Sequence, residues 1–178
     1  SGRHYKLYEK FGSHELLVNG VKGVYFAVWA PNAQTVSVVG NFNGWNPHSH
    51  HLHVRWDSSG IWEGFIPGIE NGEVYKYHIH SNTGENLEKS DPFALHTEIP
   101  PRTASIVATT WFAWNDSEWM YSRREHNALD RPMSVYEMHL GSWMRDPKDP
   151  DRFLSYEEIA AKLIPYIHET GFTHVEFM

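Results

Sequence analysis

Residues 24–46 read VYFAVWAPNAQTVSVVGNFNGWN, and this stretch decides the fold of the first part of the chain. Positions 24, 26 and 28 alternate with positions 25, 27 and 29, which is the period of a β-strand with one buried face. Pro31-Asn32 ends the run, because proline lacks a backbone N–H and both residues favour turns. Residues 35–39, TVSVV, resume extended character, so two consecutive strands joined by a tight turn are predicted.

The same kind of pattern continues on the C-terminal side of this stretch. Three more β-rich runs are 61–66 (IWEGFI), 73–80 (EVYKYHIH) and 103–107 (TASIV), with Gly and Pro clusters between them. Short strands separated by turn residues are typical of an antiparallel β-sandwich. We therefore predict an all-β, immunoglobulin-like sandwich over residues 16–110, preceded by an N-terminal lead-in over residues 1–15.

Residues 111–133 interrupt the β pattern and are interpreted as a connector containing a short helix. Three tryptophans, Trp111, Trp114 and Trp119, lie there among polar groups. Because a large indole in a linker is costly to leave in water, we expect them to attach the connector to neighbouring surfaces.

Residues 134–178 change to an α/β pattern. They contain a predicted strand (134–140), a helix (155–170) that ends at Gly171, and a second strand (172–178). Ser155 and Glu158 have the spacing of a capping box, which satisfies free N–H groups at a helix start. One strand–helix–strand unit cannot cover both faces of a parallel sheet. We therefore expect this segment to be the opening of a larger α/β domain that is incomplete in the sequence.

Composition narrows the classes of function. The 178 residues include no cysteine, which excludes disulfides and thiolate metal sites and fits a reducing cytoplasm. The formal net charge is −7 without a dense Lys/Arg run, which argues against a nucleic-acid partner. No stretch approaches the roughly 20 apolar residues that span a bilayer, so no membrane partner is expected. We expect no cofactor, whereas the eight tryptophans suit flat ligands such as sugars.

Several motifs together resemble one enzyme family. FAVWAPNAQTVSVVGNFNGWN is similar to the glycogen- and starch-binding sandwich module of family 48 in the α-amylase superfamily. KSDPFA with PPRTASIV, then FAWNDSEWM, SVYEMHLGSW and LSYEEIAAKLIPYIHETGFTHVEFM, resemble the following segments of bacterial 1,4-α-glucan branching enzymes. The order is the expected one and covers nearly the whole chain. The resemblance implies that residues 134–178 are the first βαβ unit of a truncated (β/α)8 catalytic barrel.

The resemblance also implies an activity of the longer protein. Such enzymes cleave an α-1,4 bond of glucan and transfer the chain to a 6-hydroxyl with retention, in glycogen biosynthesis. Their catalytic carboxylates lie on the fourth, fifth and seventh barrel strands, and this chain reaches the second. We therefore expect no catalytic residue here and no activity of the chain alone. The implied partners are α-glucans (glycogen, amylose and maltooligosaccharides) and the remainder of the barrel.

Three residues are candidate sugar contacts. Trp45 matches the tryptophan of the FNxW motif and Lys76 the lysine of the YK(F/Y) motif, and the resemblance implies that both touch glucan. For Trp45, packing of the sandwich against the barrel is the alternative. Asn82 could offer an amide to a sugar hydroxyl, although its position also suits a simple turn. Many dedicated glycogen binders carry a second tryptophan in the next hairpin, where this chain has Leu87, so weak binding is expected.

Other patterns have simpler interpretations. Glu137 and Glu176 lie on the predicted parallel strands, where structural roles are favoured, and His139 is a minor candidate for the mouth of a barrel site. The HSHHLH run at 48–53 would allow His51 and His53 to share a metal, but a solvated loop is favoured because no further ligand is suitably spaced. Trp29 and Trp62 are expected to be packing residues. A non-catalytic interaction module, or a related debranching or trehalose-releasing hydrolase, remains the alternative function.

Overall fold

The computed structural model describes residues 4–178, so the first three residues of the predicted lead-in lie outside the described part. The chain divides into two compact units, the first ending at Phe112 and the second comprising Ala113–Met178.

Within the described residues, the first unit contains nine strands in two antiparallel sheets. In chain order the strands are β1 (Gly12–Val18), β2 (Val21–Trp29), β3 (Ala33–Gly40), β4 (His53–Val54), β5 (Ile61–Pro67), β6 (Val74–Ser81), β7 (Asn86–Lys89), β8 (His96–Thr97) and β9 (Ser105–Ile106). One sheet has the order β1-β2-β5-β4. The other has the order β3-β6-β9-β8, and β7 pairs with β6.

The core lies between these two sheets. Alternate residues of β2, β5 and β6 point inwards, as the period of two requires. The fully buried side chains include Val24 and Phe26 from β2, Val36 from β3, and Tyr75 and Tyr77 from β6. Full burial of one such apolar side chain contributes about 1.5–3 kcal/mol relative to exposure. The alternation in the sequence therefore predicts which faces of β2, β5 and β6 hold the unit together.

The five strands predicted from alternation are all present, as β2, β3, β5, β6 and β9. Four strands were not predicted: β1, β4, β7 and β8. Strand β1 begins at Gly12, before the predicted start of the sandwich at residue 16. The all-β sandwich is thus confirmed, with more edge strands than the sequence indicates.

The second unit is of mixed α and β structure. Its elements are α1 (Ser117–His126), β10 (Val135–Met138), α2 (Leu140–Trp143), β11 (Arg145–Asp146), β12 (Asp149–Phe153), α3 (Tyr156–Thr170) and β13 (His174–Phe177). Strands β10 and β13 are parallel, with Val135 opposite His174 and Met138 opposite Phe177. Met138, Leu154, Ile159 and Leu163 form the small core beneath α3.

Helix α3 begins and ends as its sequence predicts. The Ser155 hydroxyl accepts a bond from the Glu158 N–H (3.2 Å), and Glu158 Oε2 accepts one from the Ser155 N–H (2.7 Å). Gly171 follows the last turn at φ +77°, a left-handed conformation that glycine adopts without a steric penalty. Strand, crossover helix and parallel strand are therefore present in the predicted order.

Helix α1 lies within the predicted connector, residues 111–133. Trp111 and Trp114 are mostly exposed, and their attachment to neighbouring surfaces stays a prediction. Among the described helices, none is both long and apolar enough to cross a membrane.

Candidate functional site

The loop after β3 is folded back onto the strand that precedes it. Asn43 organises the turn: its Oδ1 accepts a bond from the Gly40 N–H (3.0 Å), and its Nδ2 donates to the Val38 carbonyl (3.0 Å). Farther along, Ser37 Oγ donates to the Pro47 carbonyl (2.9 Å). These bonds fix the course of the loop that presents Trp45.

Trp45 has an unusual backbone conformation for a bulky residue. Its φ is +61°, and so is that of Gly44 before it. A left-handed non-glycine residue costs about 1–3 kcal/mol and persists only where its surroundings enforce it. Here the Trp45 N–H donates to the Gly40 carbonyl (2.9 Å), and the indole Nε1–H donates to Asn41 Oδ1 (3.0 Å). The turn thereby satisfies the polar edge of the indole and leaves the ring, which is partly exposed, for contacts of its own.

Lys76 lies at the same end of the sandwich as Trp45. In the β3–β6 register Lys76 is opposite Val39, and the adjacent Tyr75 is opposite Gly40, the backbone partner of Trp45. Because Tyr75 and Tyr77 are buried, Lys76 faces outwards, as the alternation predicts. Its Nζ donates to Thr103 Oγ1 (2.9 Å), which holds the ammonium group near the surface. An indole and an ammonium donor at one end of a sheet can stack on a sugar ring and donate to its hydroxyls.

A family model matches the part of the chain that carries this pair. Residues 10–94 match the model of carbohydrate-binding module 48, the isoamylase N-terminal domain. Both Trp45 and Lys76 lie within the matched segment of this module.

Curated relatives match the module and also the second unit. The chain is 50% identical to the 1,4-alpha-glucan branching enzyme GlgB of Gloeobacter violaceus, over 99% of the chain and 24% of the relative. It is 49% identical to GlgB of Aquifex aeolicus, over 99% of the chain and 28% of the relative. The chain thus spans about a quarter of the length of the curated relatives it matches.

Solved structures share the fold at low identity. A crystal structure described as an alpha amylase from Salmonella typhimurium matches 95% of this chain and 24% of its own chain, with a TM-score of 0.64 and 23% identity. A PulA variant from Klebsiella pneumoniae covers 94% of this chain and 17% of its own, with a TM-score of 0.64 and 18% identity. At these identities the likeness concerns the fold alone.

Asn82, the third predicted contact, lies at the other end of the module. It follows β6, six residues after Lys76, and a strand rises about 3.3 Å per residue. Its backbone N–H donates to the Asn32 carbonyl (2.8 Å), which joins it to the turn between β2 and β3. The structure therefore brings Trp45 and Lys76 to one end and leaves Asn82 about 20 Å along the strand from them. A sugar contact by Asn82 stays a prediction.

Leu87 does not replace a second tryptophan beside Lys76. In the β6–β7 register Leu87 is opposite Ile79, whereas Glu88 is opposite His78. Directly opposed residues share a face of the sheet. Leu87 therefore lies on the face of Ile79, which contacts the core, and Lys76 lies on the other face.

Packing roles are predicted for both strand tryptophans, and the structure confirms this for Trp62 but not for Trp29. Trp62 is buried, and its Nε1–H donates to the Ala30 carbonyl (3.0 Å), so it is a packing residue. Trp29 is 64% exposed, and the packing prediction for it is wrong. Trp29 alternates with the inward Val28 and points to the outer face of its sheet, at the end of β2. Alternation predicts that Trp29 faces outwards. It does not predict how much of the ring is covered by neighbouring residues.

A buried carboxylate that the sequence reasoning missed supports the strand carrying Lys76. Asp91 Oδ2 accepts bonds from the hydroxyls of Tyr75 (2.7 Å) and Tyr77 (2.9 Å), and its Oδ1 accepts one from the Phe93 N–H (2.8 Å). Burial raises the pKa of Asp91, and these bonds oppose the increase. The sequence signal for this carboxylate is Asp91-Pro92, which comes two residues after β7, the strand that pairs with the one carrying Tyr75 and Tyr77.

The second unit holds the remaining candidates. Glu137 is opposite Glu176 in the parallel pair, and both side chains are exposed. His139 Nδ1 lies 3.1 Å from Ser142 Oγ. Across residues 4–178 there is no group of three or more His, Cys, Asp or Glu side chains placed to hold a metal ion. In the first unit, the four histidines between 48 and 53 are exposed. His53 begins β4, so the predicted loop does not extend over the whole run.

Proposed function

We propose that the chain is the N-terminal part of a cytoplasmic 1,4-α-glucan branching enzyme, with a module that binds α-glucan next to the start of the catalytic barrel. The observation that carries the proposal is the identity of about half to branching enzymes, which extends over 99% of the chain and through both units. A free-standing interaction module would have no reason to resemble them beyond its own boundary at residue 94.

Trp45 and Lys76 are the proposed glucan contacts of the module. The partly exposed Trp45 ring stacks on one glucose face, and its N–H loses no partner on binding because Asn41 already accepts from it. Lys76 Nζ donates to a sugar hydroxyl while Thr103 limits its motion. One stacking ring at this end supports a weak, auxiliary contact rather than a dedicated glycogen anchor.

We further propose that residues 111–133 are the connector and that residues 134–178 begin a (β/α)8 barrel. The parallel β10–β13 pair and its crossover helix α3 support this assignment. The nucleophile and the acid/base then belong to later strands. Glu137 and Glu176, exposed and directly opposed, keep structural roles.

Binding of maltoheptaose to the chain tests the glucan site. Trp45→Ala removes the stacking ring, and we expect the affinity to fall about tenfold, as a loss of roughly 1.4 kcal/mol requires. Lys76→Met removes one donor and should weaken binding by a smaller factor. Trp111→Ala, which removes an exposed indole outside the module, is the matched control. Equal affinity of Trp45→Ala and the unsubstituted chain would remove Trp45 from the site.

Amylose treatment tests the enzyme assignment. The full-length protein should shift the iodine-stain spectrum of amylose towards that of a branched glucan. The 178-residue chain alone should leave the spectrum unchanged, because the proposed catalytic carboxylates lie outside it. Branching by the isolated chain would contradict this placement of the catalytic residues.

A further inference from the structure

We propose that Asp91 is a positioning residue for the glucan contact of Lys76, and that it acts by fixing the segment that carries Thr103. The inference rests on the proposed function for its ligand, and it concerns residues that hold the contact rather than touch the sugar. Lys76 Nζ donates to Thr103 Oγ1 (2.9 Å), so the place of the ammonium group depends on where Thr103 lies. Thr103 belongs to another segment of the chain, which must therefore be held beside β6.

Lys76 lies where one edge of β6 changes its neighbouring strand. On one side of Lys76, Tyr75 is opposite Ser105 of β9. On the other side, Tyr77 is opposite Lys89 of β7. Strands β7 and β9 therefore follow each other along this edge and meet in a seam beside Lys76. The seam comprises residues 89–91 and 103–105.

Two hydrogen bonds between a side chain and the backbone cross the seam. Ser90 Oγ donates to the Thr103 carbonyl, and the Asp91 N–H donates to Ser105 Oγ (2.8 Å). Ser90 is exposed, whereas Asp91 and Ser105 are buried. The segment that carries Thr103 is therefore held both at the surface and in the core.

The Asp91 carboxylate joins the seam to β6 itself. Its Oδ2 accepts bonds from the hydroxyls of Tyr75 (2.7 Å) and Tyr77 (2.9 Å), the two neighbours of Lys76 in sequence. Bonds to an ionised acceptor are stronger than bonds between neutral groups. Asp91 thus holds the strand of Lys76 through its side chain and the segment of Thr103 through its backbone. This one residue sets how the lysine and its partner lie relative to each other.

This arrangement favours sugar binding because it orders the lysine side chain in advance. A free lysine has many rotamers, and ordering it on binding costs free energy. Thr103 orders the Lys76 side chain before a sugar arrives, as long as the seam keeps Thr103 in place. A purely structural role of Asp91 would affect stability without acting through any particular sugar contact. The positioning role predicts a loss of affinity that requires Lys76.

Maltoheptaose affinities of the 178-residue chain, measured in a double-variant cycle, test the inference. Asp91→Asn keeps the shape of the side chain but removes the charge that accepts bonds from both tyrosines. We expect it to weaken binding about two- to threefold, which corresponds to the loss of less than one full hydrogen bond. The same substitution should have no effect on affinity in Lys76→Met and its full effect in Trp45→Ala.

Ser90→Ala tests the seam without a change in the core. It removes the exposed hydroxyl that donates to the Thr103 carbonyl, and we expect a loss of about twofold that again requires Lys76. Ser81→Ala removes a hydroxyl from the turn between β6 and β7 and is the matched control, which should keep its affinity. Thermal unfolding shows which variants are folded at the assay temperature. Ser90→Ala decides the test if Asp91→Asn does not fold.

The outcomes separate the positioning role from the proposed function. If Lys76→Met weakens binding but Asp91→Asn and Ser90→Ala do not, the positioning role alone is overturned. A loss that persists in Lys76→Met overturns it as well, because Asp91 then acts through another contact. If maltoheptaose does not bind the unsubstituted chain, or binds Lys76→Met equally well, the Lys76 contact and the positioning role both fail.

Discussion

Gly40 is a position where a single methyl group would disturb both the sandwich and the Trp45 loop. A Cβ there would lie 2.2 Å from the Val74 carbonyl oxygen and 2.6 Å from the Phe42 ring. We predict that Gly40→Ala lowers the free energy of unfolding by about 1–3 kcal/mol, the usual cost of overpacking. Urea denaturation followed by tryptophan fluorescence measures it.

Gly20→Ala is the control for this steric effect. Gly20 has φ +80°, but no atom lies within 4 Å of an added Cβ. Only the backbone penalty of a left-handed alanine remains, about 1–2 kcal/mol. Glucan affinity should fall in Gly40→Ala, because its carbonyl anchors Trp45, and should be unchanged in Gly20→Ala. Equal affinities for the two variants would contradict the anchoring role.

At the same scale, the sequence makes Trp45 and Lys76 candidate sugar contacts but does not show how they are held. Motif and alternation are enough to put Lys76 outside, because Tyr75 and Tyr77 must both point into the core. The bond from the indole to Asn41 depends on the left-handed conformations of Gly44 and Trp45. No local preference of tryptophan predicts that conformation, so this part of the site could be found only from the folded loop.

Among the elements, β6 depends on the buried Asp91 at its side. Tyr77→Phe removes one donor to a carboxylate, and we predict a loss of about 1.5–3 kcal/mol in the free energy of unfolding. Tyr75→Phe should cost a similar amount, and the double variant more than the sum, because the buried carboxylate then keeps no hydroxyl donor. Thermal or urea unfolding measures these differences.

Tyr5→Phe provides the matched control, since the Tyr5 ring is almost wholly exposed and the same hydroxyl is lost there. Its stability should equal that of the unsubstituted chain. Strict additivity of the two core substitutions would show that Asp91 does not couple Tyr75 and Tyr77.

The start of α3 predicts an acid-sensitive second unit. Arg152 donates to both Glu158 oxygens (2.9 and 3.0 Å), and the Ser155 N–H donates as well. Together these bonds lower the pKa of Glu158 from 4.5 to about 2, and those from Arg152 have the largest effect. Because the folded pKa lies below the unfolded one, the stabilisation is complete above pH 4.5 and is lost as the pH falls towards 2.

We predict that Glu158→Gln flattens the pH dependence of helix melting in this window. Circular dichroism at a series of pH values measures it. Glu157→Gln, one residue earlier, leaves the Arg152 bonds in place and should keep the full slope. A Glu158→Gln variant with the unchanged slope would show that the ion pair does not contribute.

The elements also show why part of the fold was predictable. Strands with one buried face have an alternating pattern of apolar residues, and the strands with that pattern were predicted. In β1 only the first two residues, Gly12 and Ser13, are buried, so it leaves no such pattern. The β11–β12 hairpin, RDPKDPDRF, has the composition of a loop and depends on side chains: the Arg145 guanidinium lies 3.8 Å above the Phe153 ring, and Arg152 contacts Asp146.

At the scale of the whole molecule, the notable surface feature is an apolar groove of the second unit that is exposed to solvent. A groove of about 460 Å³ is lined by α3 and β13 side chains that include Ile159, Ile164 and Phe177. Exposed patches of this kind promote association. We predict that the chain self-associates with increasing concentration, which light scattering after size-exclusion chromatography detects.

Ile164→Lys should shift this equilibrium towards the monomer, because Ile164 is 56% exposed and a charge there opposes burial of the groove. Lys162→Glu changes a charge on the same helix without touching the groove lining and is the control. A chain that stays monomeric at every concentration would contradict the prediction.

The segment between Trp45 and β4 pairs with the edge of β3. Leu52 N–H donates to the Val36 carbonyl (2.8 Å) and Val38 N–H to the His50 carbonyl (3.0 Å), so the chain covers the outer edge of β3 before His53 and Val54 pair with β5 in the other sheet. That edge cannot recruit a strand from another molecule. The amide hydrogens of Val38 and Leu52 are held in these bonds as long as the segment stays on the edge of β3. The loop that carries Trp45 is therefore tied at its C-terminal end to both sheets.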